Sequence, residues 1–186
     1  MTEVRTFWLE LTEFARVTAR RFSTVPCPKR EGGGCDARLV LADRTKEELG
    51  SFPGDPDDPR LAECHHCGEV FDGTWVVGHD PLYLGEGGAE MVLSEAGPGA
   101  TWDAGWMPDE YRGEDGVALC VRLPNGMDWM IDGPATGGGR WTRSGDPGLA
   151  KVTARPSIAS GERSDPGWYH GFLTGGVLVA TGDSRH

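Results

Sequence analysis

The chain has 186 residues, the size of one domain or a domain with a small satellite. Its 29 glycines and 13 prolines predict many loops and few helices, and Leu, Ile, Val and Phe make up only about one residue in five. With 18 basic residues against 29 acidic ones the formal charge is −11, which argues against nucleic acid as the main partner because non-specific affinity for phosphate needs clustered Lys and Arg.

So little aliphatic material barely offsets chain entropy, so something further must hold the fold. Seven tryptophans and a group of cysteines with metal-ligand spacing are the two candidates. No apolar run reaches bilayer length, and Glu3, Arg5 and Glu10 interrupt an amino terminus unlike a signal peptide. The protein is expected to be soluble and made in the cytoplasm.

From residue 7 to 22, Leu9, Leu11, Ala15, Val17 and Ala19 alternate with Glu10, Thr12, Arg16, Thr18 and Arg20, which predicts a long strand with one buried face. A helix gathering Phe7, Leu11, Phe14 and Thr18 is the competing reading. Arg16, Arg20, Arg21, Lys29 and Arg30 form a basic stretch, read as a solvated strand face or as a contact for an acidic partner. Asp43 to Gly50 carries a capping residue early and a glycine late, predicting a short helix. The Asp- and Pro-rich run 51–59 reads as an exposed loop.

Short strands are expected over Glu69–Val77 and Met91–Ser94. Val117, Leu119, Val121 and Leu123, then Pro124-Asn125-Gly126, then Met127, Trp129 and Ile131 predict a hairpin over about 117–132. Gly137-Gly138-Gly139-Arg140 reads as a linker, since no phosphate-loop pattern surrounds it. Lys151–Ile158 and Tyr169–Val179 are the last strands, the latter folding over Thr174-Gly175-Gly176. The expected fold is mainly β, an antiparallel sheet domain with a zinc-ribbon or zinc-knuckle segment near the amino end. The division is 1–77, an amino-terminal strand and zinc knuckle, and 78–186, an antiparallel β domain.

Cys27 and Cys35 are separated by seven residues, Cys64 and Cys67 by His65-His66, and 28 residues lie between the pairs. Zinc takes four thiolate or imidazole ligands, and two tight turns presenting sulfur pairs supply them. Gly68 permits the positive φ that such a turn needs. The expected cofactor is a structural Zn²⁺ on Cys27, Cys35, Cys64 and Cys67. A redox Cys-x-x-Cys or metal-free thiols are the alternatives, and His65 or His66 could replace one cysteine. A closed four-sulfur site has no open position and builds architecture rather than activating water. Cys120 is read as a small buried hydrophobe.

His170, Asp183 and His186 fall near the carboxy end, with Ser157 and Ser160 upstream. A Ser-His-Asp site can be drawn from them, but neither serine sits in the Gly-x-Ser-x-Gly elbow that usually presents such a nucleophile. A second metal site from Asp132, His170, Asp183 and His186, and a sheet-face role for His170, are the other readings. Trp102, Trp106, Trp129, Trp141 and Trp168 are expected to fill a core, an exposed aromatic groove being the alternative.

Thr101-Trp102-Asp103-Ala104-Gly105-Trp106-Met107-Pro108, with the block from Gly116 to Gly133, resembles a block of uncharacterised tailed-phage and prophage proteins of actinobacteria. Trp141 to Pro147, Ser157-Ile158-Ala159 and Gly167 to Leu173 are similar to that family's closing blocks. The resemblance covers about residues 70–180 and brings no catalytic residues with it. Relatives carry Cys and His before the Trp141 block, whereas Pro134 to Arg140 here has none. Together with the zinc reading of the cysteines, the resemblance implies a non-enzymatic, zinc-stabilised structural or interaction protein of a phage. It would be a capsid-associated accessory made in the host cytoplasm, with the virion as a further destination, phage shell proteins as partners and no membrane. A zinc-ribbon regulator binding a host protein, or a hydrolase using His170, Asp183 and His186, is the alternative.

Overall fold

A computed structural model describes residues 3–29, 34–45, 58–71, 76–134 and 140–185. The protein is mainly β, with antiparallel pairing at all but one of its described strand junctions, and its helical residues are confined to single 3-10 turns. No helix among the described residues is long and apolar enough to cross a membrane. The chain divides into two compact units, residues 12–82 and the combination of 1–11 with 83–186.

In the larger unit, β1 (Glu3–Arg5) pairs antiparallel with β13 (Val177–Ala180), and β2 (Phe7–Trp8) pairs parallel with β7 (Ala100–Asp103). These pairings place the first eleven residues with the carboxy-terminal portion, whereas the expected division puts them with the cysteines. Thr6, between the two short strands, is buried; its amide donates to the Gly176 carbonyl at 2.8 Å and its hydroxyl lies 3.0 Å from the Ala150 carbonyl.

Two sheets result. One has the order β1-β13-β12-β11-β10, with β10 Thr142–Ser144, β11 Thr153–Ser160 and β12 Tyr169–Thr174. The other has the order β2-β7-β8-β9, with β8 Leu119–Arg122 and β9 Asp128–Met130. Strand β8 is buried on both faces. Leu119, Val121 and Leu123 join Trp141, Ile158, Tyr169 and Leu173 in one core. Ala118 and Cys120 face a second core with Leu9, Tyr83 and Trp102. Cys120 is thus the buried small hydrophobe expected, and burial pushes its thiol up to about 12.

The predicted hairpin is β8–β9, with register Cys120↔Met130, Val121↔Trp129 and Arg122↔Asp128. Its loop has three residues: the Gly126 amide donates to the Leu123 carbonyl, the Leu123 amide donates to the Met127 carbonyl, and Gly126 takes φ +81°. This is a turn closed by a left-handed glycine rather than a two-residue turn on Asn-Gly. The turn at Gly175 (φ +55°) and Gly176 (φ +80°) joins β12 to β13 as expected.

Tryptophan fills core here, as Trp102 and Trp141 show, the latter meeting Trp129 edge-on at 5.9 Å between ring centres. The Arg122 guanidinium lies 5.7 Å from the Trp102 ring centre, while Trp106 is exposed.

In the smaller unit, β3 (Glu10–Pro26) pairs antiparallel with β4 (Gly34–Thr45), and β5 (Val76–Leu84) lies on the other side of β3; the short strand β6 (Glu90–Val92) belongs to the larger unit. The strand reading of residues 7–22 holds, over β2 and β3. Ala15, Val17 and Ala19 are buried, and so is Thr18 between them, beside a register shift that leaves Leu41 of β4 without a partner in β3. Leu11, expected inside, is exposed.

The helix expected from Asp43 is corrected at its start. Asp43, Arg44 and Thr45 are extended and paired with Arg16, Ala15 and Phe14, because a long partner strand satisfies their backbone more fully than one isolated helical turn would. Residues 46–50 and 51–57 of the expected helix and loop, residues 72–75 of one expected strand, and the glycine linker 137–139 lie outside the described residues. From the basic stretch, Arg16 pairs with Asp43 at 3.3 Å.

Candidate functional site

Cys27 follows the last residue of β3 and Cys35 is the second residue of β4. The pairing Pro26↔Gly34 closes the strands beneath them, so a seven-residue insertion still leaves both cysteines at one end of a hairpin. The second pair sits in a tight turn. A 3-10 turn at Pro59–Leu61, capped by the Asp58 carboxylate on the Arg60 amide, delivers the chain to an antiparallel bridge between Glu63 and Val70. Inside that bridge the Cys64 amide donates to the Glu69 carbonyl at 2.8 Å and the Gly68 amide to the Cys64 carbonyl at 2.9 Å. Gly68 has φ +79° as predicted, and open space surrounds it, so backbone conformation alone demands glycine there.

One hydrogen bond, from the His65 amide to the Asp36 carbonyl at 3.1 Å, ties the turn to β4. Ala19, Ala37, Leu61 and Phe71 pack around the sulfurs.

The four Sγ atoms lie within 4.8 Å of one another, and no disulfide links them. Cys35 Sγ and Cys67 Sγ are 3.5 Å apart, well beyond the roughly 2.05 Å of a sulfur–sulfur bond. Ligands about 2.3 Å from a tetrahedral zinc stand about 3.8 Å from one another, so the spacing suits one metal ion at the centre. Cys27, Cys35 and Cys64 are buried and Cys67 is half-buried.

Burial raises the Cys27 and Cys35 thiols. Burial acts the same way on Cys64, but backbone amides of His66, Cys67 and Asp36 aimed at its sulfur outweigh it and bring that thiol down to about 6. Those amides are the donors that a metal-bound thiolate uses. Neither histidine of the turn joins the sulfurs. His65 Nε2 is 3.0 Å from the Arg60 carbonyl and His66 Nε2 is 3.4 Å from Asp36 Oδ1.

Among the described residues no other group of three or more His, Cys, Asp or Glu side chains could hold a metal ion. Of the second site drawn on Asp132, His170, Asp183 and His186, the three described residues form no such group: Asp132 is buried and engaged by Arg143 and the Leu119 amide. His186 lies outside the described residues.

His170 and Asp183 do come together, and with them Ser157. Ser157 stands on a strand, β11, and not in an elbow; antiparallel pairing of β11 with β12 brings it beside His170. Ser160 is buried at the end of the same strand. The missing elbow is therefore no obstacle to a serine–histidine contact, and strand register, which spacing along the chain does not display, decides it. Compared with known proteins, the chain matches no family model, no curated protein and no solved structure.

Proposed function

We propose that Cys27, Cys35, Cys64 and Cys67 hold a structural Zn²⁺ and that residues 12–82 form a zinc-stabilised interaction module. The observation that carries this reading is the convergence of four reduced, largely buried thiols within 4.8 Å, with both neighbouring histidines turned to other partners. Four sulfurs complete a tetrahedron, so the ion contributes folding energy and leaves no position for substrate. Soft thiolates favour zinc over magnesium or calcium.

The wider role is that of a phage structural or interaction protein, a capsid-associated accessory. The resemblance of the Trp102, Trp129 and Trp168 blocks to tailed-phage proteins supports it. A chain of charge −11 is suited to a protein-facing position rather than to packing against DNA.

Two measurements test this. Elemental analysis of protein purified without added metal is expected to find about one zinc per chain, and near zero after Cys64→Ser. Quantitative mass spectrometry of purified phage particles is expected to find the chain at a fixed ratio to the major shell protein. Its absence from particles alongside abundance in infected cells would sink the accessory role and leave the zinc assignment to stand or fall on its own test.

A further inference from the structure

The carboxy-terminal strands carry a separate arrangement. His170 on β12 is flanked by Trp168 and Phe172, alternate residues on the same side, whose ring centres stand 6.2 and 6.4 Å from its own. Its Nδ1 lies 3.0 Å from Asp183 Oδ1, and its Nε2 lies 3.2 Å from Ser157 Oγ. The carboxylate assigns the tautomer: Nδ1 carries the proton it donates to Asp183, which leaves the Nε2 lone pair facing the serine hydroxyl.

The relay is braced on both sides. Thr181 donates its hydroxyl to Asp183 Oδ1, and Arg163 reaches Oδ2 at 3.1 Å. The His170 carbonyl accepts from the Thr181 amide at 2.8 Å, and the His170 amide donates to Ser184 Oγ at 3.0 Å. The tail from Thr181 to Ser184 thus holds backbone, imidazole and carboxylate together.

Ser157 is half-buried at the edge of a groove. It falls in the register shift between Ala154 and Ile158 and lines a groove of about 650 Å³. Ala154, Pro156 and Phe172 give the groove an apolar wall, and Arg140 and Arg155 also line it. An ester with a small apolar acyl group fits such a wall.

We propose that Ser157 is an acyl-accepting nucleophile, with His170 as its general base and Asp183 as the positioning residue, in a site that hydrolyses carboxylic esters. Ser157 Oγ forms a bond to the acyl carbon while its proton passes to His170 Nε2. The carbon–oxygen bond to the leaving alcohol breaks, and the alcohol takes that proton. Water then attacks the acyl carbon, giving a proton to His170 Nε2. The bond from that carbon to Ser157 Oγ breaks as His170 passes the proton to Oγ, which releases the carboxylic acid and restores the Ser157 hydroxyl.

The test uses the full-length protein with a fluorophosphonate probe and with p-nitrophenyl acetate. Peptide mass spectrometry is expected to place the probe on Ser157, and Ser157→Ala to abolish both labelling and ester turnover. His170→Ala is expected to lower the turnover rate by about 100-fold or more. Asp183→Asn is expected to lower kcat at nearly unchanged KM and to displace the pH–rate profile, which loss of a merely structural contact would not do.

Equal labelling of wild type and Ser157→Ala, or no labelling of wild type while its thermal unfolding is cooperative, would overturn the proposal. Zinc content is measured on the same samples. It is expected to be the same in Ser157→Ala as in wild type, so a failure here is separable from a failure of the metal assignment.

Discussion

Arg143 Nε lies 2.7 Å from Oδ1 and 2.9 Å from Oδ2 of Asp132, and the two side chains are only 9% and 5% exposed. Asp132 Oδ2 also accepts the Leu119 amide at 3.0 Å, and the far end of Arg143 grips Asp115. One guanidinium therefore links β10 to the residues flanking the β8–β9 hairpin and leaves no buried carboxylate oxygen without a donor. Removing the cation strands a buried charge, which costs far more than the pair contributes net.

Arg143→Met is accordingly expected to destabilise the protein by about 3–5 kcal/mol. Asp132→Asn, which keeps the shape and removes the charge, is expected to cost less. Urea unfolding followed by tryptophan fluorescence checks both. An Arg143→Met variant as stable as wild type would show that the pair contributes nothing to the fold.

The carboxylate of Asp183 is held down to about 2 by hydrogen bonds from Thr181 and His170, against an ordinary value of 3.8. A carboxyl group whose folded pKa is depressed favours the folded state above its unfolded pKa and loses that contribution as pH falls through the folded value. The stability difference between wild type and Asp183→Asn is therefore expected to be full at about pH 5 and to shrink toward about pH 2. Urea midpoints of the two proteins across that window are the measurement, and parallel curves would contradict it.

Gly175 and Gly176 both have positive φ, yet they differ in surroundings. A Cβ on Gly176 would stand 1.9 Å from the Ala150 carbonyl oxygen, whereas nothing lies within 4 Å of one on Gly175. Gly175→Ala is expected to cost about 1 kcal/mol for its left-handed backbone. Gly176→Ala adds a collision and is expected to cost about 2–4 kcal/mol. Thermal unfolding of the pair in parallel distinguishes them, and equal losses would refute the packing argument.

Five cysteines offer an internal control for the metal centre. Cys35→Ser removes a ligand and is expected to bring zinc from about one per chain to near zero. Cys120→Ala changes a buried residue of a different core and is expected to leave zinc content unchanged. Loss of zinc in both variants would mean that the metal depends on global folding rather than on those four sulfurs.

Cysteine spacing, the positive-φ glycine after Cys67 and the alternation from Val117 to Ile131 are local signals, and the structure carries the turns and strands they imply. Each is legible because a turn or a pleat is settled within a few residues. Strand β4 was not legible. Its Asp43-Arg44-Thr45 end looks like a helix cap until β3 is there to pair with it. Neither was the pairing of Glu3 with Val179; a Ser-His-Asp set could be drawn from the chain, but not that Ser157 rather than Ser160 meets His170. Which strands become neighbours, and in what register, depends on the burial of whole faces, and a shift of one residue turns every side chain to the opposite side. Residue chemistry thus named a cysteine cluster able to hold a metal ion from the chain alone, while which serine stands beside the histidine was decided only when register placed β11 against β12.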